Sequence, residues 1–375
     1  MSEPLDAELM TVGTDEVVVT FRTDDQSSVV TRVGDRQVTT TGRYHSARVD
    51  GLEPLTRYDL AVDGAPYTAQ LPVAVTTLQR PEGELLSTFA TVNDVHFGEV
   101  ECGHLDVPEG EDFVTVFTAE PGDPPYPEVM NRAAIDEISA IDPDVVIVKG
   151  DLTDLGTAEQ YEMFLDAYGR LGPRLYHVRG NHDAMIDDSM AIERAPYAID
   201  LKGATLAVLD TTTPGTDKGR LPADQVAWLD QVAAESTDPV LAFGHHHPWD
   251  PASAKRSDNY FGINPDDSEA FLDVVARRES IAGYFAGHTH RNRVRRFPAA
   301  REVPMVEVAC VKDYPGAWAE YRVYDGGYLH LMRRISAPDA MAWTEKTRAM
   351  FAGLYRDYAL GGIEDRCFAE PFRSP

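Results

Sequence analysis

Five short apolar runs in this chain each end in a turn loaded with carboxylate, amide or imidazole side chains. That repetition limits the available folds more than any other feature. The turns read "TVNDVH" (91–96), "IVKGD" (147–151), "HVRGNHD" (177–183), "AFGHHHP" (242–248) and "FAGHTH" (285–290). From residue 85, runs that read as buried strands alternate with helical patterns such as "PEVMNRAAIDEISAI", "AEQYEMFLDAYGRL", "ADQVAWLDQVAAE" and "DSEAFLDVVARRE". This alternation argues for an α/β domain whose strands are covered on their faces. In open α/β sheets ligands bind beyond the carboxyl ends of the strands. Five turns far apart in sequence are therefore expected to converge in space.

Residues 8–78 read differently. "EVVVTFRT", "SSVVTRV", "RQVTTT", "HSARVD" and "RYDLAV" are short β-rich runs parted by breakers, the pattern of a small all-β sandwich. The stretch "LEPLTRYDLAV" (52–62) has the residue order of a tyrosine corner, with Tyr58 as the corner residue. It resembles a fibronectin type III module. This gives a β module over 1–80, a polar linker in "LQRPEGE", a catalytic domain over 85–335 with further strands near 304–310 and 319–335, and a C-terminal helix and tail over 336–375. Residues 98–128 form a long Pro- and Gly-rich insertion after the first turn, and loops of that length are usually functional or disordered. We expect a flap over the site. His104, Tyr126, Trp249 and Tyr260 are candidate substrate contacts, with ordinary packing the plainer expectation.

The ligand set has a chemical logic. Carboxylate, amide oxygen and imidazole together suit borderline divalent ions such as Mn, Fe, Co and Zn. An Asp-x-His pair lets two side chains reach one ion from one turn, and one Asp between two ions can bridge them. The three consecutive histidines His245, His246 and His247 leave open which ring is used.

Composition narrows the partners. The formal net charge of -28 repels duplex nucleic acid and anionic membranes at long range. No apolar run approaches the roughly 20 residues of a membrane helix. The start "MSEPLDAELM" lacks the basic and apolar regions of a secretory signal. Three widely spaced cysteines fit a reducing compartment rather than a disulfide framework. A cytoplasmic setting is expected.

The order D-x-H, G-D, G-N-H-D, H-H-P, G-H-x-H across about residues 85–335 resembles that of the calcineurin-like metallophosphoesterases. The β module in front resembles the arrangement in purple acid phosphatases. The segment "VKDYPGAWAEYRVYDGGY" is similar to the bacterial cyclic-nucleotide and glycerophosphodiester phosphodiesterase branch. The resemblance implies a four-layer αββα sandwich and two divalent metal ions. One ion would take Asp94, His96, Asp151 and His290, and the second Asp151, Asn181, His246 and His288. His246 is selected by lying two positions before the proline, which puts His247 near the phosphate and His245 in packing or behind the ligands.

The implied chemistry is attack on phosphorus by a hydroxide bridging the ions. His182 would protonate the leaving oxygen, and Asp183 would either orient His182 or merely end the turn. Purple acid phosphatases carry a Tyr ligand three positions after the bridging Asp, whereas this chain has Asp154, so a tyrosinate–iron site is not expected. The expected substrate is a small-molecule phosphodiester, such as a cyclic nucleotide or glycerophosphodiester. A phosphomonoesterase and a non-catalytic phosphate-binding regulator are the alternatives. A homo-oligomer is compatible with the sequence.

Overall fold

A computed structural model of the chain describes residues 3–103, 116–191, 195–257 and 259–372. The N-terminal residues form five strands: β1 (Leu5–Val12), β2 (Glu16–Val33), β3 (Arg36–Asp50), β4 (Arg57–Val62) and β5 (Ala74–Thr76). Strands β1, β3 and β4 all pair antiparallel with β2, and β5 pairs with β4. Four of the short runs expected from sequence are in fact two long strands. The polar stretch between them is absorbed as a bulge, with a register shift between Arg22 and Ser27. Thr23 Oγ1 closes that bulge by donating to the Asp25 carbonyl at 2.8 Å. Tyr58 Oη accepts from the Glu53 N–H at 2.9 Å, as a corner tyrosine does. Leu9, Val17, Val19, Phe21, Val33, Val49, Leu60 and Val62 build the module's own core.

Buried charge and hydrogen bonds tie the β module to Met332, Arg333 and Arg366 near the end of the chain. Glu16 meets Arg333 through two bonds of 2.6 and 2.8 Å, and these arginine contacts outweigh burial to hold its carboxyl at about 2. Thr11 Oγ1 donates to the Met332 carbonyl, and Arg366 donates to the carbonyls of Leu9 and Met10.

The remaining elements run β6 (Leu85–Val92), α1 (Tyr126–Ala140), β7 (Val145–Lys149), α2 (Ala158–Tyr168), β8 (Leu175–Val178), β9 (Tyr197–Leu201) and β10 (Ala204–Val208). Then come α3 (Ala223–Glu235), β11 (Val240–Phe243), α4 (Pro265–Arg277), β12 (Ile281–Ala286), β13 (Arg293–Arg296) and β14 (Pro304–Glu307). The chain closes with β15 (Ala317–Tyr324), β16 (Gly327–Arg334), α5 (Pro338–Thr347), α6 (Leu354–Leu360) and β17 (Cys367–Pro371). They form two six-stranded sheets, ordered β17-β16-β15-β6-β7-β8 and β13-β14-β12-β11-β10-β9.

Strict alternation explains the layering. On β7, Val145 and Ile147 point into the core shared by the sheets, while Val146 and Val148 face the core under α1, α2 and α5. On β11, Leu241 and Phe243 point between the sheets, and Val240 and Ala242 face α3 and α4. Both faces are covered, so these strands read as continuous apolar runs. The result is the αββα order expected. The helix starts are locally encoded: Thr157 accepts from the Gln160 N–H ahead of α2, and Asn264 accepts from the Asp267 N–H ahead of α4.

Two expectations are corrected. The residues read as one helix and a tail after 335 form α5 and α6, broken by left-handed Phe351, Ala352 and Gly353, then a one-turn helix over Ile363–Arg366 and a strand. That strand, β17, pairs with β16 along Cys367–Pro371 and so completes the first sheet. The short strands β9 and β13, not foreseen, are the antiparallel edges of the second sheet. Among the described residues no helix is long and apolar enough to cross a membrane.

Candidate metal centre

Strands β6, β7 and β8 lie side by side and parallel, as do β10, β11, β12 and β14. The five turns therefore leave the two sheets at the same end and meet over the seam between them. Among the described residues five groups of side chains come within 4.8 Å of one another, ligand atom to ligand atom: Asp94, His96 and His290; His245, His246 and His288; Asp94, Asp151 and His245; His96, Asp154 and His182; and His290, Cys310 and Asp313. All seven metal-ligand candidates are gathered here, with the Asn181 amide oxygen 2.9 Å from His288 Nδ1.

The backbone is strained where these residues sit. Asp94, His96, Asp151, His288 and His290 all have φ between 46 and 67°. Left-handed backbone is uncommon for non-glycine residues and costs on the order of 1–3 kcal/mol at each. It turns consecutive ligand side chains toward one point. Gly150 and Gly180 serve the same convergence, because a Cβ at either would collide with the His245 ring and, at Gly180, with the Asp151 carboxylate.

The donor set fits divalent ions. Among the described residues, neither ring nitrogen of buried His96 has a hydrogen-bond partner, and Nε2 of both His246 and His288 is likewise buried and unpartnered. Orphaned buried polar atoms are costly and call for an explanation. Here they converge with the carboxylates of Asp94 and Asp151 and the amide of Asn181. Burial keeps His96, His246 and His288 below the ordinary imidazole range, which leaves lone pairs free to ligate. Burial would raise Asp151, but the His245 and His182 charges outweigh it and hold the carboxyl well below its usual value.

The histidine triplet is resolved by its partners. His246 uses Nδ1 on Thr211 Oγ1 (3.0 Å) and leaves Nε2 free in the cluster. His245 has both nitrogens engaged, Nδ1 with the Lys149 carbonyl at 2.8 Å and Nε2 with Asn181 Oδ1 at 3.1 Å and Asp151 Oδ2 at 3.2 Å. Burial alone would lower His245, yet Asp151 lifts it to about 9. It sits behind the ligands as a charged brace.

The third ring, His247, packs against Tyr260 with ring centroids 5.2 Å apart and lies 6.5 Å from the ring of His288, and burial lowers it to about 3. Three successive side chains of one turn cannot all face one point. His182 lines the cavity above the cluster. Its N–H donates to Asp151 Oδ1 at 3.0 Å, and its Nδ1 donates to the Asp154 carbonyl at 2.6 Å, with Nε2 unengaged among the described residues.

The orienting partner of His182 is thus Asp154 rather than Asp183. Asp183 is fully buried and accepts from Gly180 N (2.7 Å), Leu152 N (3.1 Å), Thr153 N (2.8 Å) and Thr153 Oγ1 (2.7 Å). It clamps the turn after β7 to the turn after β8. Burial and the Asp151 charge push it up to about 6.

Sequence reasoning missed Asp313. Its Oδ2 lies 3.3 Å from His290 Nδ1, on the far side of the ring from Asp94. Tyr355 Oη donates to Asp313 Oδ1 at 2.6 Å, and Cys310 Sγ lies 2.9 Å from the same oxygen. Such a carboxylate fixes the ring and tautomer of a ligating histidine. Asp313 and Thr211 follow β14 and β10, two more parallel strands, so the rule that found the five turns extends to both. Of the loop candidates, Tyr126 stacks on Trp343 at 4.1 Å and Trp249 is buried, while His104 lies outside the described residues. Residues Gly98, Glu99, Val100, Glu101 and Gly103 of the insertion line the cavity.

The family model described as calcineurin-like phosphoesterase matches residues 87–292, more than half of the chain. A probable cyclic nucleotide phosphodiesterase of a Synechococcus species is 30% identical over 153 residues, which is 40% of this chain and 58% of that protein. The glycerophosphodiester phosphodiesterase GpdQ of Enterobacter lignolyticus is 30% identical over 162 residues, 40% of this chain and 56% of that protein. The chain thus spans a little over half the length of these curated relatives. Among solved structures, a dimetal phosphatase from Danio rerio aligns with a TM-score of 0.48 at 16% identity, over 67% of this chain and 97% of that one.

Proposed function

The chain belongs to the calcineurin-like phosphoesterases, and from that premise we propose that it hydrolyses small-molecule phosphodiesters with two divalent metal ions. Asp94, His96, Asp151 and His290 would hold one ion. Asp151, Asn181, His246 and His288 would hold the other. The observation that carries this reading is the set of imidazole nitrogens on His96, His246 and His288 that have no hydrogen-bond partner among the described residues, buried in one cluster with the carboxylates of Asp94 and Asp151. Such ions polarise phosphoryl oxygens and bring the pKa of water near neutrality. Mn, Fe, Co and Zn all suit this donor set. Asp154 stands where a tyrosinate would be needed for a purple iron site.

The protein's own groups supply the rest. His182 is oriented by the Asp154 carbonyl and presents Nε2 to the cavity, where it can deliver a proton to the departing alkoxide. Asp183 holds the two turns that carry Asp151 and Asn181. His245 braces Asp151 and Asn181 from behind. Asp313 positions His290, so Asp313→Asn is expected to lower metal affinity on the order of 10- to 100-fold. Titrating metal into metal-free protein reads this directly, and an unchanged affinity would remove Asp313 from the account.

Diesters are favoured over monoesters by charge. The cavity is lined by Glu99, Glu101, Asp154 and Asp217, with Lys312 already paired to Glu99 at 2.6 and 2.7 Å. A monoester dianion meets more repulsion there than a diester monoanion. The relatives' names, cyclic nucleotide and glycerophosphodiester phosphodiesterase, support the same preference. The metal-loaded protein should therefore cleave bis-nitrophenyl phosphate with at least about a 10-fold higher kcat/KM than nitrophenyl phosphate, the factor that some 1.4 kcal/mol of repulsion gives. A reversed preference would make it a phosphomonoesterase, and no turnover of either a phosphate-binding regulator. The three cysteines are free and buried, which supports a reducing, cytoplasmic setting.

A further inference from the structure

The cavity over the metal-ligand candidates has a second character that phosphate chemistry does not require. Of the thirteen large apolar side chains exposed among the described residues, six line it: Val100, Leu155, Met185, Phe261, Leu354 and Tyr358. Leu354 is 74% exposed and Leu155 52%, in a chain whose formal net charge is -28. Isolated exposed apolar residues are ordinary, whereas a cluster at the mouth of a site marks something that binds there. The cavity encloses about 1120 Å³, and its floor includes His96, Asp151, Asn181, His288 and His290. These apolar side chains thus line the same cavity as the proposed point of cleavage.

Three of the polar groups that could read a sugar or a base are already committed, whereas Thr289 Oγ1 has no partner among the described residues. Tyr358 Oη donates to the Thr289 carbonyl at 2.9 Å, Tyr355 Oη to Asp313, and Lys312 Nζ to both oxygens of Glu99. The remaining charged groups around the opening, Glu101, Asp154 and Asp217, repel further anionic substituents.

We propose that the phosphodiester accepted here carries a bulky apolar arm, an alkyl or acyl chain several methylenes long, seated against Leu155, Met185, Phe261 and Leu354. This rests on the reading of the site as a phosphodiesterase and names its substrate class. Hydrolysis then adds water across one P–O bond, with hydroxyl to phosphorus and the proton to the leaving oxygen, and needs no other reactant.

Symmetrical dialkyl phosphates test this, because either arm can occupy the wall. Dimethyl, dibutyl and dihexyl phosphate, kept below their micellar concentrations, are measured as competitive inhibitors of bis-nitrophenyl phosphate hydrolysis by the metal-loaded full chain. The inhibition constant should fall at least ~10-fold from dimethyl to dihexyl, the scale expected when several methylenes leave water. Leu155→Asn and Leu354→Asn, both at positions more than half exposed, should each raise the dihexyl constant while leaving the dimethyl constant within about 2-fold, because only the longer arms reach the wall.

A constant independent of chain length overturns the inference and leaves the phosphodiesterase reading standing. Absence of any diester hydrolysis removes both. Chain-length dependence that survives in both variants puts the apolar contact elsewhere and overturns the assignment. Sedimentation at micromolar concentration guards against a different occupant: a dimer that Leu354→Asn dissociates would make the wall a subunit interface and overturn the proposal.

Discussion

Asp151→Asn is expected to lower phosphodiester turnover on the order of 10³-fold or more, the scale at which losing a centre of transition-state charge stabilisation is felt. The carboxylate stands between the two halves of the cluster. Its Oδ2 is 3.5 Å from His96 Nε2 and 3.2 Å from His245 Nε2, and its Oδ1 accepts from the His182 N–H at 3.0 Å. Asparagine keeps the shape and most of these contacts but removes the charge that two cations would share. Both metal affinities should fall together, and excess metal should restore little. Asn181→Ala is the contrast. Asn181 Oδ1 lies against His245 and His288, so that variant should weaken mainly one ion and recover partly in excess metal. If Asn181→Ala were as inactive as Asp151→Asn at every metal concentration, the two residues would not have the separate roles assigned to them.

His182→Ala should produce an effect that depends on the leaving group. A nitrophenolate departs with little assistance, whereas a glycerol or ribose alkoxide needs a proton in the transition state. His182 is held ready for this by the Asp154 carbonyl on Nδ1, with its ring 4.5 Å from that of His96. Alkyl diesters should lose on the order of 10²–10⁴-fold in turnover, the range typical of general acid catalysis, and bis-nitrophenyl phosphate far less. Metal content should be unchanged. Equal losses on both substrate types would make His182 a substrate-positioning group, and loss of metal would make it a ligand.

The parts of this molecule legible from sequence are those fixed by short-range periodicity. Strands β7, β11 and β12 and helices α1, α3 and α4 were readable because covered strands are uniformly apolar and helices repeat every three to four residues. Their shared carboxyl ends brought the five ligand turns together in expectation as in the structure. What was not legible depends on side-chain direction. His247 belongs to the same motif as His246, yet a turn sends adjacent rings different ways. Asp183 adjoins His182 in sequence, but its carboxylate points back to Thr153 and Gly180, and the partner of His182 is a backbone carbonyl some thirty residues earlier.

Long-range pairing hid the remainder. Nothing local in Cys367–Pro371 announces that it will find β16, and nothing in the polar residues after Arg22 announces that β2 continues through them. Asp313 was visible in principle, since it follows a parallel strand. Its significance appears only when His290 is seen beside it.

The most direct test of the account is a titration of metal-free protein with Mn²⁺, reading bound metal and diester turnover at each addition. A shared carboxylate predicts a linked pair of ions, with turnover rising through a second equivalent and levelling there. Turnover complete at one equivalent with no further binding, or turnover indifferent to the removal of all metal, would contradict the two-ion centre bridged by Asp151.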